Sequence, residues 1–312
     1  MKAQAFGRQA IKATNSIINV ILLTVILMLL AFAGYALWDS QQIFLSAEKA
    51  QYAIYKPQVE DEGKSFMELQ AINPEVFAWL TVYGTNIDYP VAQGPDNQKY
   101  VSTNVEGQYS MAGAIFLDYH NSQNFSDFNS ILYGHHMEKR VMFGEIGYFS
   151  DQNMFDTHQY GNLYFEGQDY GLEFFAFLHA DAYDSTVFYA NVKNDDQQAY
   201  LSNLLEKAIY LRDIGITLND RIILLSTCSA SSTNGRDILI GRIGDELFED
   251  PFITTQTTGG KNKDSRNGLV KEIVLWPLLL LLALATRIPT LIPAIYHRKR
   301  ISNTKRNRKG QR

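Results

Sequence analysis

Cysteine is almost absent from this 312-residue chain, which contains a single one, Cys228. One cysteine excludes a disulfide within the chain and a cysteine-rich zinc site. In an exported protein, the oxidising surroundings make a free thiol a hazard unless it is buried or required for function. The scarcity of cysteine therefore leaves two interpretations of Cys228: a buried structural thiol or a nucleophile.

Acidic side chains are missing from both ends of the sequence. Residues 1–38 contain 3 basic side chains and residues 287–312 contain 9, with no acidic side chain in either range. The remaining residues, 39–286, therefore hold 16 basic and 33 acidic side chains, a formal charge of −17. Nucleic-acid binding is disfavoured, because so acidic a segment cannot neutralise phosphates.

Charge is also missing from a long run near the N-terminus. Residues 17–38 are apolar and uncharged, and they have the length needed to cross a bilayer as a helix. A cleaved signal peptide is the alternative, but its apolar region would be shorter, and a small-x-small cleavage motif is only loosely matched. We therefore predict that residues 1–38 form a cytoplasmic N-terminus and a retained transmembrane helix.

A second apolar run, residues 273–296, precedes a basic tail at residues 297–312. Arg287 and three prolines interrupt the run, so a second transmembrane helix could end near Arg287 or extend to Tyr296. Basic residues flank the outer end of both runs, and the positive-inside rule then places both termini in the cytoplasm. The predicted location is the cell membrane, crossed twice, with the lipid bilayer as a partner and the intervening segment outside the cell.

Between the two apolar runs the sequence pattern changes twice. Residues 39–73 carry apolar side chains at helical spacing and predict a helical stalk. Residues 74–254 contain short apolar segments separated by Gly, Asn and Asp, which predict a mainly β, extracellular domain. Residues 255–272 are polar and predict a flexible linker to the second span. Helical interruptions of the β domain are expected at residues 96–101, 142–149 and 195–209.

One apolar strand of the β domain ends at Cys228. A polar loop separates it from a second strand, which is opened by Arg236. If these strands are neighbours, the thiol and the guanidinium face one cleft, where a cation stabilises the negative charge that acyl transfer builds on a carbonyl oxygen. A surface charge at a strand end is the simpler interpretation of Arg236. Arg242, six positions further along, would point to the same face of this strand and is a second candidate.

Histidine is the usual partner of a catalytic cysteine, because an imidazolium favours the thiolate and protonates the leaving amine. Of the six histidines, His297 lies on the predicted cytoplasmic side. His135 and His136 follow a strand-like segment and a glycine, where a turn can present a side chain. A metal site on this pair is disfavoured, since neighbours on a strand point to opposite faces and no second cluster supplies ligands. The pattern alone leaves both histidines open.

The order and spacing of these segments resemble the sortases, and specifically class B. The similarity covers about residues 77–243 and rests on FLDYHNSQNFSDFNSILYGHHM, a following MF, LSTC and a downstream arginine. It implies a closed β-barrel of about eight strands with peripheral helices. Class B members usually carry Asn where His136 stands, and Leu224 replaces the first threonine of the family's TLxTC motif. The catalytic residues that the resemblance implies are His135, Cys228 and Arg236.

The resemblance also implies a substrate groove. Its predicted contacts are Asn97, Val101, Tyr133 and Ser226. Their simpler interpretations are a helix or turn cap, two core side chains and a strand hydroxyl. Asp118, which ends an apolar strand, is a loop cap or orienting group to which no role is assigned.

The activity implied by the resemblance is that of a cysteine transpeptidase with no metal and no organic cofactor. Its partners would be secreted proteins with a C-terminal sorting signal, LPxTG-like or NPxTN-like, and an amine acceptor from a peptidoglycan precursor or a pilin lysine. The second predicted span favours pilus polymerisation or specialised anchoring. A cysteine protease and a non-catalytic membrane-tethered scaffold are the alternatives, although the sequence around Cys228 has neither the papain nor the caspase signature.

Overall fold

The computed structural model describes residues 2–57, 63–228 and 234–253, and it places four α-helices and nine strands in them. The predicted linker, second span and basic tail lie outside the described residues. The helices are α1 (Lys2–Ala47), α2 (Lys64–Ile72), α3 (Gln152–Thr157) and α4 (Gln197–Lys207). The strands are β1 (Val76–Val82), β2 (Asp88–Ala92), β3 (Ile115–Leu117), β4 (Asn129–Tyr133), β5 (Tyr160–Phe165), β6 (Gln168–Asp181), β7 (Tyr210–Leu211), β8 (Arg221–Cys228) and β9 (Gly235–Gly244).

Eight of these strands close into a barrel. Their order is β5-β1-β2-β3-β4-β8-β9-β6, and β6 pairs back onto β5 to complete the ring. The β2–β3 and β4–β8 pairs are parallel, and the other pairs are antiparallel. The two-residue strand β7 extends the sheet beside β6. The arrangement confirms the predicted closed barrel of about eight strands with peripheral helices.

Strand β8 is buried on both faces of the barrel wall. Ile223 and Leu225 belong to the larger apolar cluster, which fills the barrel, whereas Ile222 and Leu224 belong to a second cluster on the other face. Successive residues of a strand point to opposite faces, so this double burial explains the continuous apolar run in the sequence. Helix α4 covers the second cluster. Cys228 is the exposed end of an otherwise firmly packed strand.

Helix α1 contains a segment, Ile11–Ala47, that is long and apolar enough to cross a membrane, and its most apolar part is not buried. The helix continues past residue 38 into the predicted stalk. Further along, the chain of the predicted stalk packs on the barrel, with Tyr52, Phe66 and Leu69 buried in the larger cluster. Apolar side chains at helical spacing need a surface to cover, and the barrel supplies it.

The helices inside the β domain are shorter than the sequence predicts. The helix expected at residues 195–209 is α4, which ends at Lys207. The expectations at residues 96–101 and 142–149 each overlap a single 3₁₀ segment instead of an α-helix. Helix α3 was not predicted, because six residues are too few to display helical periodicity; its start is marked only by Asp151, whose side chain accepts a hydrogen bond from the Met154 amide at 3.0 Å.

Candidate active site

Cys228 and Arg236 face each other across two paired strands. Cys228 is the last residue of β8, and the antiparallel register sets it directly opposite Arg236 at the start of β9. Opposed residues in such a pair point to the same face with their Cβ atoms about 4.5–5.5 Å apart. The thiol is free and exposed, and the arginine is half-buried. The neighbouring strands assumed in the sequence argument are therefore neighbours in the fold.

The parallel pairing of β4 with β8 brings His135 to the same end of the barrel. Tyr133 pairs with Ser226, and the Gly134 amide donates to the Ser226 carbonyl at 3.2 Å. Only glycine fits at position 134 without a rearrangement, because a Cβ there would lie 2.7 Å from the ring of Phe143. His135 directly follows Gly134 and lies beside the end of β8.

The imidazole of His135 is held by one backbone group. Its Nε2 lies 2.7 Å from the carbonyl oxygen of Val101. A carbonyl only accepts hydrogen bonds, so Nε2 carries the proton in this arrangement. The neighbouring His136 does not line the cleft described below, and its Nδ1 is buried with no hydrogen-bond partner among the described residues. The two histidines, which the local sequence could not separate, thus lie in different surroundings.

A cleft of about 310 Å³ lies among these residues. It contains the three predicted catalytic residues and the four predicted substrate contacts. Four apolar or small residues and one buried threonine complete the wall. The lining consists of His135, Cys228, Arg236, Asn97, Val101, Tyr133, Ser226, Phe116, Gly134, Ala182, Phe188 and Thr227.

Asp118 organises one wall of this cleft. The residue is only 5% exposed, and its Oδ2 accepts hydrogen bonds from the Asn97 amide nitrogen at 2.8 Å and the Tyr133 hydroxyl at 3.1 Å. Burial, together with the nearby Asp118 carboxylate, raises the pKa of Tyr133 above its ordinary value, so the hydroxyl stays protonated and donates. Sequence reasoning noticed Asp118 but could not connect it with Asn97 and Tyr133, since the contacts span 21 and 15 positions.

The hydroxyl of Ser226 is a buried polar group that faces an open cleft. Its Oγ has no hydrogen-bond partner within the described part of the chain. A buried hydroxyl without a partner costs free energy, and such groups in native structures call for an explanation. A ligand in the cleft would supply the missing partner only if its binding uncovered this hydroxyl.

Arg242, the second candidate cation, belongs to a different environment. Its guanidinium donates to the Glu173 carboxylate and lies 3.9 Å from Asp220. It does not line the cleft. Paired carboxylates account for Arg242, which leaves Arg236 as the arginine beside Cys228.

Comparisons with known proteins agree with this architecture, although no protein-family model matches the sequence. The chain is 31% identical over 193 residues to sortase B of Listeria monocytogenes, covering 60% of this chain and 75% of the relative. It is similar to the crystal structure of sortase B from the type II pilus of Streptococcus pneumoniae, with 48% identity, a TM-score of 0.51, and coverage of 57% and 98%. It is also similar to a Streptococcus pyogenes class B sortase involved in pilus biogenesis, with 38% identity, a TM-score of 0.53, and coverage of 58% and 99%.

Proposed function

The chain belongs to the class B sortases and is a cysteine transpeptidase, and from this premise we propose that Cys228, His135 and Arg236 carry out its reaction. The observation that supports the assignment is their meeting in one cleft, with Cys228 and Arg236 as a cross-strand pair. The thiol is the only one in the chain, so no other cysteine competes for the role. The three residues would supply the nucleophile, the proton-transfer group and the oxyanion donor that a two-step acyl transfer needs.

In the first step the Cys228 thiolate attacks a backbone carbonyl carbon in a sorting signal. The carbonyl oxygen becomes an oxyanion, which the Arg236 guanidinium stabilises by charge and hydrogen bonding. The C–N bond then breaks, and the leaving amine takes a proton from His135. The products are a thioester on Cys228 and the released C-terminal fragment.

In the second step an amine attacks the thioester carbon. The now neutral His135 accepts the proton that the amine loses, and the C–S bond breaks to regenerate the thiolate. A new amide joins the surface protein to the acceptor. Water in place of the amine would give hydrolysis, so retention of the acyl group for an amine separates this activity from that of a protease.

The wall of the cleft is proposed to hold the sorting signal. Two contacts orient the Asn97 side chain, since its NH2 group donates to Asp118 and its oxygen accepts from the Tyr119 amide at 3.0 Å. The second N–H of the Asn97 amide is proposed to donate to the peptide. The unpaired Ser226 hydroxyl offers a further polar contact. Val101 and Tyr133 add apolar surface beside the reacting carbonyl.

We propose that α1 anchors the enzyme in the cell membrane, with the barrel outside the cell. The apolar segment Ile11–Ala47 supports the anchor, and the basic side chains at both ends of the sequence support two cytoplasmic termini. A pilin lysine is the proposed acceptor amine, since similarity is strong to sortases of streptococcal pili. The amine of a peptidoglycan precursor is the competing acceptor.

The test uses the full-length chain in detergent micelles with LPxTG-like and NPxTN-like peptides. Each peptide is offered two acceptors, a lysine-containing peptide and an oligoglycine, and products are identified by mass spectrometry. An isopeptide to lysine would support pilin polymerisation, whereas ligation to oligoglycine would favour wall anchoring. Hydrolysis alone, with either acceptor in excess, would contradict the transpeptidase assignment.

Replacing Arg236 with alanine is expected to lower kcat by roughly 10²–10³-fold, the usual effect of losing a donor to a developing oxyanion. Arg236→Lys keeps the charge but loses the planar pair of donors and should recover only part of the rate. The matched control is Arg242→Ala, on the same strand, which removes an ion pair with Glu173 outside the cleft. The control should lower the melting temperature while leaving kcat of the folded enzyme near wild type; equal kcat losses in both variants would count against the role of Arg236.

Replacing Asp118 with alanine is expected to raise KM for the sorting peptide about tenfold with little change in kcat. The variant removes the carboxylate oxygen that accepts from both Asn97 and Tyr133, so the Asn97 side chain loses one of the contacts that orient it. Asp127→Ala is the control, because Asp127 also accepts loop hydrogen bonds, from Ser122, but Ser122 does not line the cleft. Steady-state kinetics decide the point: a fall in kcat at unchanged KM would refute a binding role.

A further inference from the structure

The loop that follows His135 folds back onto its own start. The Phe143 amide donates to the His135 carbonyl at 3.1 Å, and His136 and Met142 form an isolated antiparallel bridge. Within the loop, Lys139 and Met142 have positive φ angles of 60° and 52°. Residues with side chains adopt this left-handed conformation at a cost, so the surroundings must hold the loop in shape.

The C-terminal end of α1 is one of the elements that hold the loop, and a single buried hydroxyl, that of Tyr89, links the two. Tyr89 of β2 donates from its hydroxyl to the carbonyl of Ala47, the last residue of α1, at 2.9 Å. The same hydroxyl accepts a hydrogen bond from the Met142 amide at 3.0 Å. All three residues are at most 2% exposed. Burial raises the pKa of Tyr89 above its ordinary value, so the hydroxyl keeps the proton that it donates.

A second contact ties the same loop to α1. The Lys139 ammonium donates to the side-chain oxygen of Gln41 at 3.0 Å and lies 4.1 Å from the ring centroid of Phe44. Gln41 and Ala47 are separated by six residues, or about 9 Å of helix. The final two turns of α1 therefore reach the loop at two points, directly at Lys139 and through Tyr89 at Met142.

We propose that the C-terminal end of α1 positions His135, with Tyr89 as the positioning residue, an inference that rests on the proposed role of His135. Cys228 and Arg236 are fixed by the β8–β9 ladder, whereas His135 lies beyond the end of β4 and depends on its loop. Displacing the end of α1 moves this loop and thus the imidazole relative to the thiol. A small misplacement of a reacting group lowers the rate without weakening substrate binding.

The test compares Tyr89→Phe with Tyr83→Phe in the full-length chain in detergent micelles. Both variants lose one tyrosine hydroxyl, but Tyr83 donates to the carbonyl of Phe248, away from the His135 loop. Tyr89→Phe is expected to lower kcat about tenfold at unchanged KM. Hydrogen–deuterium exchange should also become faster at the Met142 amide, which loses its acceptor. Lys139→Met, which keeps the stem of the side chain, should show a smaller change in the same direction.

Equal turnover of the Tyr89 and Tyr83 variants would overturn the proposal, as would a higher KM in place of a lower kcat. If Tyr89→Phe does not fold, the Lys139 variant carries the comparison alone, and wild-type turnover in it would be the refuting result. A wild-type chain that ligates no peptide would refute the proposed function instead. The exchange rate of the Met142 amide would still test its hydrogen bond to Tyr89. Unchanged exchange in Tyr89→Phe would show that the hydroxyl does not hold the loop.

Discussion

Replacing Cys228 with alanine is expected to abolish both ligation and hydrolysis of the sorting peptide. The thioester forms on the sulfur, and the chain has no second thiol to replace it. Because the side chain is exposed, the free energy of unfolding should change by no more than about 0.5 kcal/mol. Mass spectrometry of the reaction and thermal unfolding of the same sample measure the two effects.

Cys228→Ser is the stricter comparison for this prediction. It keeps nearly the size of the side chain and exchanges the thiol for a hydroxyl. A serine hydroxyl is a far weaker nucleophile without a system built to activate it. The serine variant should bind the peptide with wild-type affinity and leave it intact. Ligated product in either variant would rule out a thioester on Cys228. A Cys228 that does not react with thiol reagents in the wild type would favour a scaffold.

Replacing His135 with alanine is expected to lower kcat by roughly 10²–10⁴-fold, the range typical of losing a general acid. His136→Ala is the matched control, since the two histidines are adjacent but only His135 lines the cleft. His135→Gln adds a second comparison, because its amide can still donate to the Val101 carbonyl but cannot transfer a proton. Both His135 variants should therefore show this loss of kcat while His136→Ala retains most of its activity.

Single-turnover kinetics separate the steps affected by these changes. Loss of the proton donor should slow release of the leaving amine and thus formation of the thioester on Cys228. Recovery of activity in His135→Gln would assign the residue a structural role through Val101 and contradict proton transfer. A large loss in His136→Ala with little loss in His135→Ala would exchange the roles inferred for the pair.

The strands could be predicted from the sequence because their signal is local, whereas their closure into a barrel was implied only by the resemblance to sortases. Each apolar segment marked off by Gly, Asn or Asp became a strand, and the continuous run before Cys228 matches a strand buried on both faces. Short helices were harder to predict. The helix expected at residues 142–149 is only a short 3₁₀ segment, and α3 was missed. One turn of helix carries no period to detect, so capping and tertiary contacts decide its extent.

Only part of the site could be predicted from local sequence pattern. Strand ends located Cys228 and Arg236, but the choice of His135 over His136 came from the resemblance to sortases and not from local pattern. The hydrogen bond between His135 and Val101 joins residues 34 positions apart, and no local feature of either segment predicts it. Long-range contacts of this kind depend on strand register, which the fold determines only as a whole.

Closure of the barrel also constrains how a peptide can be recognised. Proteins with a long open sheet edge can bind an extended peptide as one more strand, through a ladder of backbone hydrogen bonds that is indifferent to sequence. Here each strand of the ring is paired on both sides, and the short β7 ends the sheet within the described residues. Discrimination among sorting signals is therefore expected to come mainly from side chains in the cleft, so exchanging a few of them should change specificity without rebuilding the scaffold.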